Sequence, residues 1–260
     1  MIAWRLIDSN FINPYFNMAL EEAIAKAVGE ELALNTIRFW RNDKSVILGR
    51  FQSLELEVDL NACIKHNVAV VRRFTGGGAV YHDLGNLNYS IALNKKSATL
   101  KEAKNIQAFF MKSALSVIEG LKILGLTSTF KKPNIVLVEG RKVSGAAGAI
   151  RWNTIFHHGC ILVSSNLLIL REVLNCFKES YACSKKWVSS RKIEVANINE
   201  FMNKEVNLNE VKNALKKGFE KVYRVKLIED SLSLKELKIA EALYKNKYCR
   251  HEWNYKGVEL

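Results

Sequence analysis

Proline is scarce in this chain of 260 residues: only Pro14 and Pro133 occur. That excludes a proline-rich linker and gives no sign of a long structureless tail. Cysteine is sparse and scattered, at 63, 160, 176, 183 and 249, with no CxxC pair and no Cys/His set at zinc spacing. A disulfide framework and a zinc site are therefore not expected, and reduced thiols in a cytoplasmic protein are. No apolar run reaches 18 residues, so no membrane span is read. The N-terminus, MIAWRLIDSN, lacks the basic stretch and apolar core of a secretory signal. Neither a GxxxxGK[ST] loop nor a helix-opening dinucleotide fingerprint is present. Helix-turn-helix, RNA-binding aromatic and Cys/His-finger signatures are also missing, which leaves a non-enzymatic nucleic-acid module with little beyond its charge. Acidic residues are the scarcer sign, 26 Asp+Glu against 39 Lys+Arg, for a net charge of +13. That field favours an acidic partner, or serves solubility as a lysine-rich surface.

What is present suffices for a core. Apolar residues make up 48% of the chain and charged ones 25%, which excludes global disorder. Ile2 to Ile7 suits a strand. Asn13 and Pro14 open an amphipathic helix with Phe16, Ala19, Leu20, Ala23 and Ala27 on one face, and Glu21, Glu22 and Lys26 around it. Thr36 to Trp40 and Val46 to Leu48 read as short strands around a turn at Asn42-Asp43-Lys44. Asp59 caps a short helix, and Val68 to Val71 reads as a strand buried on both faces. Asn86 to Leu93 alternates as a half-buried strand does. Helical spacing over 101–124 predicts the longest helix, and 142–150 and 156–163 a strand pair joined at Arg151-Trp152-Asn153. Asn207/Glu210 and Ser233/Glu236 are capping-box patterns opening two late helices. Strands interleaved with helices, several adjacent, predict an α+β or mixed α/β fold.

Chemistry concentrates in three segments. Gly76-Gly77-Gly78 follows a valine-rich strand and the pair Arg72-Arg73. Such a turn permits positive φ and close ligand approach, and its N–H groups can form an anion nest beside an arginine fork. It is equally the pattern of a hairpin bulge with incidental arginines. Next, VEGRKVSGAAG over 138–148 sets Lys142 beside small residues. There a ligand can lie flat along the strand with its carboxylate or phosphate at the ammonium. Lastly, Phe156-His157-His158-Gly159 carries two histidines, which alternation places on opposite faces of the strand. For such histidines a structural role is the default.

Together these segments resemble the lipoate–protein ligase catalytic domain of the biotin/lipoate ligase superfamily. RRFTGGGAVYHDLGNLNYS at 72–90 is similar to that family's glycine signature. VEGRKVSGAAGA at 138–149 is similar to its lysine element, and FHHGCIL at 156–162 to its HHG element. NMALEEA at 17–23, WRNDKSVILGRFQ at 40–52 and SSRKIEVANI at 189–198 follow its further motifs, the last with one extra residue. The resemblance implies a mixed β-sheet flanked by helices over a single catalytic domain, 1–260, with closing helices at about 204–250. The implied reaction is ATP-dependent. Lipoate and Mg·ATP give lipoyl-AMP, and a carrier-protein lysine then takes the acyl group. Lys142 is implied to contact both the carboxyl and the α-phosphate. Arg73 and Gly76, Gly77, Gly78, Ala79, Val80, Tyr81, His82 and Asp83 are implied at the nucleotide, with Asp83 a candidate magnesium or ribose contact. Trp40, Arg72 and His158 are implied near the acyl substrate, Trp40 being equally a plain core residue.

Acceptors implied are acidic lipoyl domains, those of the glycine cleavage H protein or a 2-oxoacid dehydrogenase acyltransferase. The chain is expected to lack the accessory C-terminal domain of many relatives and to depend on a separate small protein for it. One departure is Cys160, where the family commonly has Thr. In the related octanoyl- and lipoyltransferases, which form a thioester without ATP, the nucleophilic cysteine lies just upstream of the lysine element or well after it. Residues 127–139 hold no cysteine, and Cys160 reads as a buried, inert thiol. The transferase remains the alternative chemistry.

Overall fold

The computed structural model describes residues 2–97 and 106–258. The elements in chain order are β1 (Ile2–Asp8), α1 (Pro14–Gly29), β2 (Thr36–Trp40), β3 (Ser45–Leu48), α2 (Leu54–Glu57), α3 (Leu60–His66), β4 (Ala69–Arg72), β5 (Val80–His82) and β6 (Asn86–Asn94). They continue with α4 (Ile106–Ile123), β7 (Ser128–Lys131), β8 (Ile135–Val138), β9 (Arg141–Arg151), β10 (Thr154–Leu162), α5 (Leu167–Val173), α6 (Leu208–Tyr223), β11 (Val225–Glu229) and α7 (Leu234–Leu243). Two π-helical turns follow, Tyr244–Tyr248 and Glu252–Lys256.

Eight strands form one mixed sheet in the order β11-β1-β2-β6-β10-β9-β8-β7, and three form a second, β4-β3-β5. The expected mixed α+β architecture is thus present. The strand pair β9/β10 closes on Trp152 and Asn153, both at positive φ (49° and 55°), the backbone a two-residue hairpin turn requires. The turn expected at 42–44 does not make a hairpin. β2 joins the large sheet and β3 the small one, and between them the Asn42 side chain turns inward to accept from the Asn17 amide. The start of the helix expected from 101 lies outside the described residues.

One face of the large sheet is covered by α4 and α6, with Phe39, Tyr89, Ile91, Val117, Leu121 and Phe219 in the layer between. The other face carries α1, itself overlaid by α7 and the π-turns through Met18, Ala19, Tyr248 and Trp253. This sandwiching corrects two expectations. β6 is buried on both faces over almost its whole length. Glu21 and Glu22 are not on a solvated rim but are 1% and 2% exposed. Each is ion-paired to a residue distant in sequence: Glu21 to Arg38 at 3.0 Å, and Glu22 to Lys247 at 2.7 Å. Local caps formed as their patterns predict. The Asn13 side chain accepts from Phe16 N, Asp59 from Ala62 N, Asn207 from Glu210 N and Ser233 from Glu236 N. Among the described residues no helix is long and apolar enough to cross a membrane.

Candidate active site

The large sheet, the three-stranded sheet and the segment after α5 enclose a cavity of about 310 Å³. Alternation on β9 and β10 decides what enters it. Gly145, Ala147 and Ala149 stand opposite Cys160, His158 and Phe156. Gly145, Ala147, His158 and Cys160 line the cavity, while His157 turns to the other face. There His157 packs against Tyr89, Phe109 and Phe110. Its pKa is pushed down to about 3, chiefly by burial.

Lys142 lies where β8 and β9 slip register, a bulge that re-aims a side chain. Its main chain is held on both sides: its N–H donates to Glu194 O (2.8 Å) and its carbonyl accepts from Ala196 N (3.0 Å). The side chain lies over Gly145. A Cβ at 145 would stand 2.7 Å from Lys142 Cε and 2.9 Å from Nζ, so glycine is required there for the ammonium to lie where it does. Among the described residues no carboxylate pairs with this ammonium. Burial pulls its pKa below the usual lysine range, and Arg73 acts in the same direction. The result is a recessed cation with no counter-charge, the electrostatic signature of an anion site.

The glycine turn stands close by. Arg73, buried at the foot of the turn, gives its donors to the protein. Nε donates to Thr75 Oγ1 (3.0 Å), Nη1 to Ile47 O (2.9 Å), and Nη2 to Gly76 O (2.7 Å) and Gly78 O (2.8 Å). Burial draws its pKa down to about 10. Arg73 therefore shapes the turn from within. Gly77 adopts φ +90°, which a side chain would strain. Ser190 clasps the turn from outside: its hydroxyl accepts from Ala79 N (2.9 Å) and from Gln52 Nε2 (3.1 Å).

A buried polar chain joins the two cavity histidines. His158 Nε2 meets Thr75 Oγ1 at 2.7 Å, and Nδ1 faces Glu21 Oε2 at 3.3 Å. Glu21 Oε1 accepts from Arg38 and from Ser90 Oγ. Arg38 bonds Asn17, Asn17 bonds Asn42, and Asn42 reaches His82 Nδ1 at 3.2 Å. Burial, then Arg73, depresses the His82 pKa to about 3, and burial also lowers that of His158. With His82 held neutral at physiological pH and Arg73 bonded to the turn, Lys142 and Arg191 are the basic side chains lining the cavity that no carboxylate pairs with among the described residues.

Most of the residues singled out from sequence converge. Trp40, Arg73, Gly77, Gly78, Ala79, Val80, Tyr81, His82, Lys142 and His158 all line the cavity. Trp40 is also core at 2% exposure, and its buried indole N–H has no acceptor among the described residues. Three residues lie elsewhere. Gly76 contributes its carbonyl to Arg73 instead of lining the cavity. Arg72, expected at the substrate, points away, because neighbours on a strand face opposite sides. Its guanidinium donates to the carbonyls of Trp253, Gly49 and Gln52. Asp83 is turned from the cavity to cap a loop, its two oxygens accepting from Gly85 N and Asn166 N, both at 2.9 Å or less. Sequence reasoning missed Glu21, Ser190 and Cys176. Glu21 and Ser190 sit inside motifs already singled out, but nothing local marks them as buried or as facing the turn. Cys176, in a 3-10 turn after α5, lines the same cavity as Lys142.

The lipoyl protein ligase A/B catalytic domain family matches residues 13–220. The chain belongs to this family. Lipoate-protein ligase A subunit 1 of Thermoplasma acidophilum is 36% identical over 255 residues, covering 93% of this chain and 92% of its own. The octanoyltransferase LipM of Anoxybacillus flavithermus is 31% identical over 277 residues, covering 97% and 98%. A solved bi-partite lipoate protein ligase from T. acidophilum superposes with a TM-score of 0.85 at 32% identity, covering 100% of this chain and 99% of its own. A lipoate-protein ligase A bound with ATP does so at 0.84 and 32%, covering 99% and 100%. This lipoyl ligase A/B member is therefore an enzyme of the lipoate ligase and transferase group, with ligases and octanoyltransferases both among its relatives.

Proposed function

We propose that this family member is an ATP-dependent lipoate ligase acting through lipoyl-AMP on a lysine of an acidic carrier domain. The observation that carries this reading is the Lys142 ammonium, recessed without a counter-charge beside a glycine turn. Two anions, a carboxylate and an α-phosphate, repel each other, and a fixed cation at their meeting point is worth most where charge develops. In the first step the lipoate carboxylate attacks the α-phosphorus and pyrophosphate leaves. In the second the acceptor amine attacks the acyl carbon, AMP leaves and the amine gives up a proton. Lys142 serves both steps by holding the oxygens between phosphorus and carbonyl. The backbone N–H groups of Gly77 and Gly78 suit the nucleotide phosphates, and the wall by Trp40, Ala147 and His158 suits an acyl chain laid along β9.

Magnesium enters this reading with the nucleotide as part of the substrate. Among the described residues no group of three His, Cys, Asp or Glu side chains is arranged to hold a metal. Magnesium is commonly held by substrate phosphates with few protein ligands. The likeness to a subunit 1 and to a bi-partite ligase supports the further reading that a separate accessory protein completes the enzyme, in the cytoplasm. The test is to weigh an acceptor lipoyl domain after incubation with lipoate, with and without Mg·ATP and the accessory protein. An ATP-dependent lipoyl mass gain supports the ligase.

One observation favours a second reading, the ATP-free transferase. Cys160 and Cys176 both line the cavity with Lys142, and Cys176 falls well after the lysine element. Burial raises both thiols, Cys176 to about 11, which holds them protonated and poorly nucleophilic. An acylated donor protein without ATP separates the readings. A hydroxylamine-sensitive acyl adduct on Cys176 would establish the transferase.

A further inference from the structure

β4 is an edge strand of the small sheet, and its last residue, Arg72, leads directly into the glycine turn. On the open side of that edge no strand among the described residues pairs with it. Two side chains of the final π-helical turn take the strand's place. Trp253 Nε1 donates to Arg72 O at 2.7 Å, and Asn254 Oδ1 accepts from Arg72 N at 2.9 Å. Trp253 is fully buried, with the Lys247 ammonium 4.1 Å and the Arg50 guanidinium 4.6 Å from its ring centroid. Arg72 returns the grip: Nε donates to Trp253 O (3.1 Å), and Nη1 to Gly49 O (3.0 Å) and Gln52 O (2.7 Å). From Gln52 the contacts run into the site. Its Oε1 accepts from Gly49 N, and its Nε2 donates to Ser190 Oγ, which holds Ala79 N. Gly49 itself lies against the Gly77 carbonyl.

We propose that Trp253, Asn254 and Arg72 are positioning residues that set the geometry of the glycine turn, Trp253 acting from 181 residues beyond Arg72 along the chain. The two arginines divide the work. Arg73 draws the turn's carbonyls inward, and Arg72 anchors the strand before it to the last turn of the chain. A burial role alone would make Trp253 matter for stability and nothing else. A positioning role makes it matter for the turn's ligand specifically. The assignment of that ligand as the nucleotide rests on the ligase reading above.

The experiment compares Trp253→Phe, which keeps an aromatic ring but loses the N–H to Arg72, and Arg72→Lys, which keeps the charge but loses the fork. Gln52→Met, which cuts the relay to Ser190 and Gly49 at a buried position outside the hydrophobic clusters, serves if either fails to fold. Phe219→Leu, in the core on the opposite face of the sheet, is the control for destabilisation without a link to the turn. We expect the test variants to raise the KM for ATP about tenfold with that for lipoate within twofold, and to speed hydrogen exchange at the amides of 77–80 at least tenfold. Phe219→Leu at matched stability should move neither ratio nor exchange. Unchanged exchange at 77–80 in all test variants, or an equal change in the control, overturns the proposal. The exchange readout needs no turnover. An unmodified enzyme that ignores ATP would sink the ligase reading while the exchange data still decide the clamp.

Discussion

Adding one methyl group at Gly145 is the smallest change that tests whether the position of the Lys142 ammonium, beyond its charge, matters. A Cβ there would stand 2.7 Å from Lys142 Cε, where ordinary contact begins at 3.4 Å, so the lysine tip must retreat by about 0.7 Å. The atom displaced is the far end of a flexible chain, and Gly145 has no positive φ, so the backbone need not move. The fold should therefore survive Gly145→Ala with a change in stability of about 1 kcal/mol or less. The chemistry should not: a misplacement near 1 Å commonly costs on the order of 10²-fold. Lys142→Ala sets the floor, about 10²–10³ below the unmodified enzyme, for loss of a preorganised donor. Lys142→Arg should not rescue it, since a fork cannot stand where a point charge did. The assay is pyrophosphate release with lipoate and Mg·ATP, run beside a thermal melt. Gly145→Ala with turnover within twofold of the unmodified enzyme would refute the reasoning. So would near-normal pyrophosphate release by Lys142→Ala.

Glu21→Gln should destabilise the fold by about 3–5 kcal/mol in urea titrations, because it strands the fully buried Arg38 without its counter-charge; a loss under about 1 kcal/mol would mean water reaches the pair. His82 and His157 both have pKa values near 3 in the folded state against an ordinary 6.5. The unfolded chain thus binds their protons first, and stability should fall by up to about 1.4 kcal/mol per pH unit for each as pH drops below 6.5. His157→Phe should make that slope shallower between pH 6 and 4, and an unchanged slope would contradict its burial as the neutral form. With a net charge of +13, association with an acidic acceptor should slow as ionic strength rises. A flat stopped-flow rate from low to high salt would assign the excess charge to solubility instead.

Local signals were readable in proportion to how local they are. Asn13, Asp59, Asn207 and Ser233 each bond an amide two or three residues on, so the pattern contains the whole interaction. The β9/β10 pair was legible for the same reason, its turn residues lying between its strands. Most of the residues singled out as site candidates line the cavity because they cluster in a few short segments. Glu21 and Glu22 were misplaced since their partners, Arg38 and Lys247, come from other layers. A carboxylate on a helix looks solvated until the tertiary neighbour is known. Arg72 and Arg73 are indistinguishable as letters. Which one faces the cavity depends on strand phase, and phase on an edge strand is set by what covers it, here Trp253. Cys176 escaped notice because a short 3-10 turn carries no periodicity.

The placement of β1 has a consequence for how the chain reaches this state. β1 is interior, parallel to β2 on one side and to β11 on the other, with Ile2 opposite Val225. Its outer edge stays unpaired until the chain has been synthesised past Val225. Pairings this distant in sequence are slow to form. A growing chain would meanwhile carry the apolar run Ala3 to Ile7, interrupted only by Arg5, as an open template for intermolecular pairing. Once β11 docks, the exposed rim becomes Lys226, Ile228 and Glu229, two of three charged, and the hazard is largely closed off. Chains truncated before residue 225 should accordingly aggregate rather than persist as a smaller folded unit.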